Sequence, residues 1–225
     1  MDKVSARKRL VKAICPITAE QREVLEKLTE AKSDLERADF VWHALLHSFA
    51  TMGRASGWER LQSNPSSYQH LTYPALSSLS SEERRERIRE VFRQAGIRMH
   101  NKKAGWLIGC FNLLKQLGGP EEAKSKLLSQ KGREAKISFL KQFPGIGKKY
   151  ARNIMMDVYH EDFRDSIAID NRIIGISVAL GLMFSPNEYE EHESFYLDVA
   201  RDARINGWEL DRLLFNFYKD VKSIL

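Results

Sequence analysis

Apolar residues recur at helical spacing along nearly the whole chain, and nowhere does the period-two alternation of a half-buried strand persist. That pattern restricts the chain to a mainly α fold, in which each helix buries one stripe against its neighbours. Thr18-Ala19-Glu20-Gln21 has the form of a capping box, and Val24, Leu25, Leu28, Ala31 and Leu35 follow at helical spacing, which predicts a first clear helix over 19–36. A second starts near Asp39 and carries Phe40, Val41, Ala44, Leu45 and Phe49. Further helices are expected over 81–95, 101–117, 133–143, 148–159, 171–180, 187–204 and 207–223, with Gly96 and Gly118-Gly119 as C-terminal stops. From Gln62 through Ser81, seven serines with Pro65 and Pro74 break the period. Tyr68, Leu71, Tyr73 and Leu76 in that stretch predict an ordered loop packed on the body, since disordered tracts lack such side chains.

With 225 residues and 43% hydrophobic content, the chain has material for one large domain or two small lobes. A net charge of +6 favours an anionic partner, either nucleic acid or a lipid surface. No apolar run approaches the ~18–20 residues that span a bilayer, and the start MDKVSARKRLVKAIC lacks the apolar stretch of a secretory signal. A reducing, intracellular setting without membrane attachment is therefore expected. Cys15 and Cys110 are too few for a cluster held by four thiolates or for a CxxC metal site. His43 and His47 stand four apart on a predicted helix but have no third ligand near them, so no metal site is expected. The run Arg84, Arg85, Arg87, Arg89, Arg93 is interleaved with Glu82, Glu83, Glu86 and Glu90, the pattern of a solvated helix face laced with ion pairs.

The most informative stretch is Phe143-Pro144-Gly145-Ile146-Gly147-Lys148-Lys149-Tyr150-Ala151, which joins two amphipathic helices by a four-residue turn. Gly145 and Gly147 permit a sharp turn and close approach of the main chain to a partner. The turn ends at a helix N-terminus, where unpaired N–H groups and the positive end of the helix dipole favour a phosphate. Ala151, Ile154, Met155 and Val158 then form one apolar stripe, with Lys149, Arg152, Asn153 and Met156 on other faces, and the Ile146 side chain reads as a core plug. Downstream, Ser166-Ile167-Ala168-Ile169-Asp170-Asn171-Arg172 is a short apolar run ending in an Asp at a helix N-cap.

Pro144-Gly145-Ile146-Gly147 through Ala151, with the Ile169-Asp170 segment after it, resembles the helix-hairpin-helix DNA glycosylase superfamily, which includes endonuclease III and 8-oxoguanine glycosylases. His100-Asn101-Lys102-Lys103-Ala104 and the early Ala44-Leu45-Leu46 helix are similar to segments of endonuclease III relatives, extending the likeness over roughly 40–220. Bifunctional members carry a lysine two residues after the second hairpin glycine that attacks the sugar C1′, and Lys149 stands there after Gly147. The resemblance makes Asp170 the partner carboxylate and Lys149 the nucleophile, its proton affinity lowered by the helix N-terminus and by the Lys148 cation. Departures are the Asn171-Arg172 pair after the Asp, a 21-residue interval from Lys149 to Asp170, and the lack of the C-terminal four-cysteine cluster of many endonuclease III relatives.

The resemblance implies two helical lobes with a central DNA-binding cleft, one over 38–164 ending in the hairpin, the other formed by 1–37 plus 165–225. It implies a monomer that acts with DNA in the cytoplasm or nucleoid, needs no cofactor, and binds double-stranded DNA containing a damaged or mispaired base. DNA contacts are expected from Gly145, Ile146, Gly147, Lys148, Lys102 and Lys103. A wedge for the space left by an extruded base is expected at Thr51, Met52 and Arg54. Two rivals stay open: a monofunctional glycosylase using an Asp170-activated water, and a non-catalytic module that only holds DNA.

Overall fold

A computed structural model describes residues 2–225, and the described residues are helical or irregular with no strand. They divide into two compact units, one of Met1–Leu35 and Lys148–Leu225, the other of Glu36–Gly147. The sequence places the corresponding boundary at 164. By packing, residues 148–164 group with the C-terminal helices, because Trp208 Nε1 donates to the Met156 carbonyl (2.7 Å) and Arg212 pairs with Asp157 (2.8 Å).

The first unit begins with α1 (Lys3–Ile14) and α2 (Ala19–Thr29), the latter started by the Thr18–Gln21 capping box and continued by a 3₁₀ turn over Glu30–Glu36. Helix α1 lies before the first helix expected from sequence. Its basic residues conceal a narrow stripe, Ala6, Leu10 and Ile14, which is buried, and Asp2 caps it by accepting from the N–H groups of Val4 and Ser5.

The second unit contains α3 (Phe40–Thr51), α4 (Ser56–Gln62), α5 (Pro65–Gln69), α6 (Tyr73–Ser77), α7 (Ser81–Gln94), α8 (His100–Leu117), α9 (Pro120–Ser129) and α10 (Gly132–Leu140). Helix α3 is central, with Phe40, Val41, Trp42, Leu45, Leu46 and Phe49 all buried. The serine-rich stretch is ordered, as its aromatics require. Leu71 and Leu76 are fully buried, Trp42 Nε1 donates to the Leu71 carbonyl (2.8 Å), and Tyr73 stacks on Phe111 with centroids 4.7 Å apart. Arg84 departs from the solvated-face reading. It is buried, lies 3.9 Å over the Phe111 ring, and donates to the carbonyls of Leu76 and Leu79, so it clasps this stretch to α7. Arg89 and Arg93 do form surface pairs, with Glu86 and Glu90.

The first unit resumes with α11 (Lys148–Asp157), α12 (Asn171–Ala179), α13 (Tyr189–Asp202), α14 (Gly207–Asn216) and α15 (Tyr218–Ile224). The helix expected over 207–223 is thus divided at Phe217. Its core joins Leu10 and Ile14 of α1 to Ile173 and Ile176 of α12, Tyr196 and Val199 of α13, and Leu210 and Leu214 of α14. Surface pairs Arg7–Asp202 (2.8 Å) and Lys3–Glu191 tie α1 along α13.

Candidate active site

The turn before α11 assigns different duties to its residues. Gly145 has φ +85°, and a Cβ there would stand 2.7 Å from Trp106 Cδ2 and 2.9 Å from Phe49 Cε1, so packing as well as backbone angle demands glycine. Gly147 is exposed, and no heavy atom lies within 4 Å of a Cβ built on it, leaving its main chain open to approach. Ile146, expected among the DNA contacts, turns its side chain inward. Its side chain is buried, as a core plug, and its N–H closes the turn onto the Phe143 carbonyl at 3.0 Å.

In the second unit, the two lysines expected on phosphate separate. Lys102 is exposed, its Nζ 5.0 Å from the Trp106 ring centre. Lys103 is fully buried and donates to the Met52 carbonyl (2.6 Å), the C-cap of α3. Burial, with the Arg98 cation adding to it, pushes its proton affinity down to about 8. Its ammonium thus clasps the end of α3, whereas a phosphate contact was expected of it. Met52 and Thr51 are half-buried and Arg54 is exposed, so Arg54 is the member of the wedge group open to solvent.

Lys148 opens α11 with its ammonium bonded to Glu190 (2.5 Å). Lys149 is half-buried, with Nζ 4.6 Å from the Tyr150 ring centre. Its proton affinity falls below the usual lysine range, first because burial penalises the ammonium. Asp170, Asp211 and Asp157 oppose that fall, and Arg172 reinforces it. The lowering was expected from the helix N-terminus and the Lys148 cation; it comes instead from burial first, with Arg172 adding to it, while Lys148 is paired with Glu190.

Asp170 is the N-cap of α12, its Oδ1 accepting from the N–H groups of Arg172 (2.8 Å) and Ile173 (3.0 Å), while Oδ2 lies 3.7 Å from Arg172 Nη1. The run leading to it has no partner strand, so its buried N–H groups need other acceptors. Side chains supply them: Ile167 donates to Glu193 (3.0 Å), Ala168 to Asp211 (2.8 Å) and Ile169 to the Tyr189 hydroxyl (3.0 Å). That lattice positions Asp170.

Lys149 and Asp170 line one pocket with Asn153, Ala168, Ile173, Asp211, Arg212 and Phe215. Its free volume of about 20 Å³ suits a water molecule. Asn153 joins because it stands one helical turn after Lys149. Asp211, Arg212 and Phe215 come from α14 and were not anticipated. A signal existed, since Asp211 interrupts the apolar set Leu210, Leu213, Leu214, and an acid inside a buried stripe calls for a reason. Asp211 is buried, which raises its proton affinity to about 6 against the opposing pull of Arg212 and the Ala168 N–H. Phe215 is 44% exposed at the pocket, with the Arg172 guanidinium 3.8 Å over its ring.

Among the described residues no group of three His, Cys, Asp or Glu side chains could hold a metal ion. His43 bonds the Tyr68 hydroxyl (2.8 Å), and both His43 and His47 meet Trp58 edge-on. No helix among the described residues is long and apolar enough to cross a membrane.

No family model and no curated protein matches the chain. Solved structures do. The 8-oxoguanine glycosylase/lyase of Methanocaldococcus jannaschii, in complex with a 15mer DNA containing 8-oxoguanine, is 19% identical with a TM-score of 0.69, covering 92% of this chain and 96% of that one. A second structure, of the 8-oxoguanine DNA glycosylase of the same organism, is 19% identical with a TM-score of 0.70 over 96% and 94% of the two chains. The 8-oxoguanine DNA glycosylase of Thermotoga maritima is 18% identical with a TM-score of 0.70 over 93% and 97%. Over nearly its whole length, therefore, the chain has the mainly α, helix-hairpin-helix fold of these DNA glycosylases.

Proposed function

We propose that the protein is a base-excision repair DNA glycosylase with abasic-site lyase activity, acting on duplex DNA with Lys149 as nucleophile. The observation that carries this reading is a pocket lined both by a lysine of depressed proton affinity and by the N-cap carboxylate of Asp170. The neutral Nζ attacks C1′ of the target nucleotide, the C1′–N bond breaks, and the base departs with the bonding electrons and takes up a proton. Asp170 faces the positive charge that grows on the sugar. The C1′–O4′ bond then breaks, O4′ taking a proton from water and leaving a protonated Schiff base at Nζ, and loss of a C2′ proton to water breaks the C3′–O bond and expels the 3′ phosphate. Because the fold neighbours are 8-oxoguanine enzymes, 8-oxoguanine is the first base to test.

A second reading is favoured by the pocket volume of about 20 Å³ beside Asp170, which suits a water nucleophile and a monofunctional glycosylase. Borohydride reduction during reaction with single-lesion duplexes decides between them. A covalent protein–DNA adduct is expected for the lyase, and base release without adduct would replace it by the water mechanism. Binding with neither outcome, across oxidised-purine, oxidised-pyrimidine and mismatch substrates, would leave only a DNA-holding module.

A further inference from the structure

We infer that Asp211 is a positioning residue for the amine chemistry: one oxygen holds the 166–170 segment through the Ala168 N–H, and its carboxylate is the buried counter-charge for the cation that forms on the Lys149 nitrogen. The inference rests on Lys149 being the nucleophile. The clamp is direct, a 2.8 Å hydrogen bond two residues before Asp170, and Asp211 also lines the pocket with Lys149. An asparagine would accept the same N–H, so the clamp alone does not call for a charge. Burying a carboxylate is costly unless a partner offsets it. The cation next to it in sequence, Arg212, stands 3.6 Å from Oδ2 and gives its shorter contact, 2.8 Å, to Asp157. The remaining cation with which Asp211 shares the pocket is Lys149.

The groups facing Lys149 are Asp157 and Tyr150 of its own helix, Asp170 and Arg172 at the start of α12, and Asp211 and Arg212 of α14. Those facing Asp211 include, besides Lys149, the charges of Asp157, Asp170 and Arg212 and the Tyr189 hydroxyl of α13. Attack on C1′ converts a neutral amine to a cation, and the Schiff base keeps that charge. A fixed negative group in a water-poor pocket stabilises both more than it stabilises the neutral amine.

The test is Asp211→Asn, which keeps the acceptor for Ala168. In DNA-free protein, competitive acetylation of Lys149 followed by mass spectrometry over a pH series gives the amine's titration midpoint, which is expected to move to lower pH in the variant. Above that midpoint, borohydride-trapped adduct on an abasic duplex should form more slowly by roughly ten-fold, less than the ~10²–10³ lost with a directly contacting partner. Coupling is reciprocal, so in Lys149→Gln the Asp211 carboxyl, followed by carbon NMR, should titrate at higher pH than in wild type, and this variant decides the matter if Asp211→Asn does not fold. Unmoved midpoints alongside normal wild-type trapping would overturn the role of Asp211 alone. Absence of any wild-type adduct would overturn the lyase reading and the counter-charge role with it.

Discussion

Glu193 grips Arg152 through two hydrogen bonds, from Nε at 3.0 Å and from Nη2 at 2.7 Å, and both side chains are almost wholly buried. The same carboxylate accepts from Ser166 Oγ (3.1 Å) and from the Ile167 N–H (3.0 Å). It therefore joins α11, which carries Lys149, to the segment that ends in Asp170. Removing one partner strands a buried charge, so Arg152→Met should cost about 3–5 kcal/mol in urea unfolding. Replacing both residues by Met should cost less than the sum of the single changes, and strict additivity would show that the pair is not coupled.

Lys149 and Asp170 should separate under mutation. Lys149→Gln should abolish the trapped adduct and strand cleavage while leaving lesion binding nearly intact, because an amide forms no Schiff base. Asp170→Asn keeps an oxygen to cap α12 but loses the charge facing the sugar, so single-turnover base release should slow by ~10²–10³-fold. Adduct formation by Lys149→Gln on an abasic duplex would assign the amine elsewhere.

The two hairpin glycines are expected to fail differently. Gly145→Ala places a Cβ against Trp106 and Phe49 at positive φ, and should lower stability by about 1–3 kcal/mol in thermal melts. Gly147→Ala has room and should melt like wild type, yet weaken binding to damaged and undamaged duplexes alike. Unchanged affinity in folded Gly147→Ala would remove this turn from the DNA-binding surface.

Lys102 and Lys103 should likewise part. Lys102→Gln should reduce the slope of log binding constant against log salt by about one, the loss of one phosphate contact, with no change in melting. Lys103→Gln should instead lower stability, since it disturbs the buried bond to the Met52 carbonyl. Equal salt slopes for wild type and Lys102→Gln would place the duplex elsewhere.

Burial makes Lys149 a weaker base than an exposed lysine. Its ammonium form is inert, so abasic-strand cleavage should rise with pH through the amine's titration and level off before the usual lysine range. A rate still climbing through that range would contradict a desolvated nucleophile.

What the chain determines by itself is periodic and local. Helical class follows from spacing, the Thr18–Gln21 cap from four adjacent residues, and the Asp170 N-cap from its own short run, all of which act within a few residues, whereas Lys149 stood out only through the resemblance to a glycosylase hairpin. Helix α1 escaped because three buried residues among many basic ones make a weak stripe. Lys102 and Lys103 read alike as neighbouring cations, yet one is exposed and the other fully buried, since successive helical residues face different ways and only packing says which face is covered. Arg84 was taken out of solvent by the Leu76 and Leu79 carbonyls just before its helix, and Arg152 by the carboxylate of Glu193, remote in sequence. The membership of the pocket was decided at the same level. Asp211 and Phe215 lie more than forty residues beyond Asp170, and their charge and ring acquire meaning only where α14 folds back beside α11 and the unpaired 166–170 segment, whose N–H groups must find acceptors wherever the fold provides them.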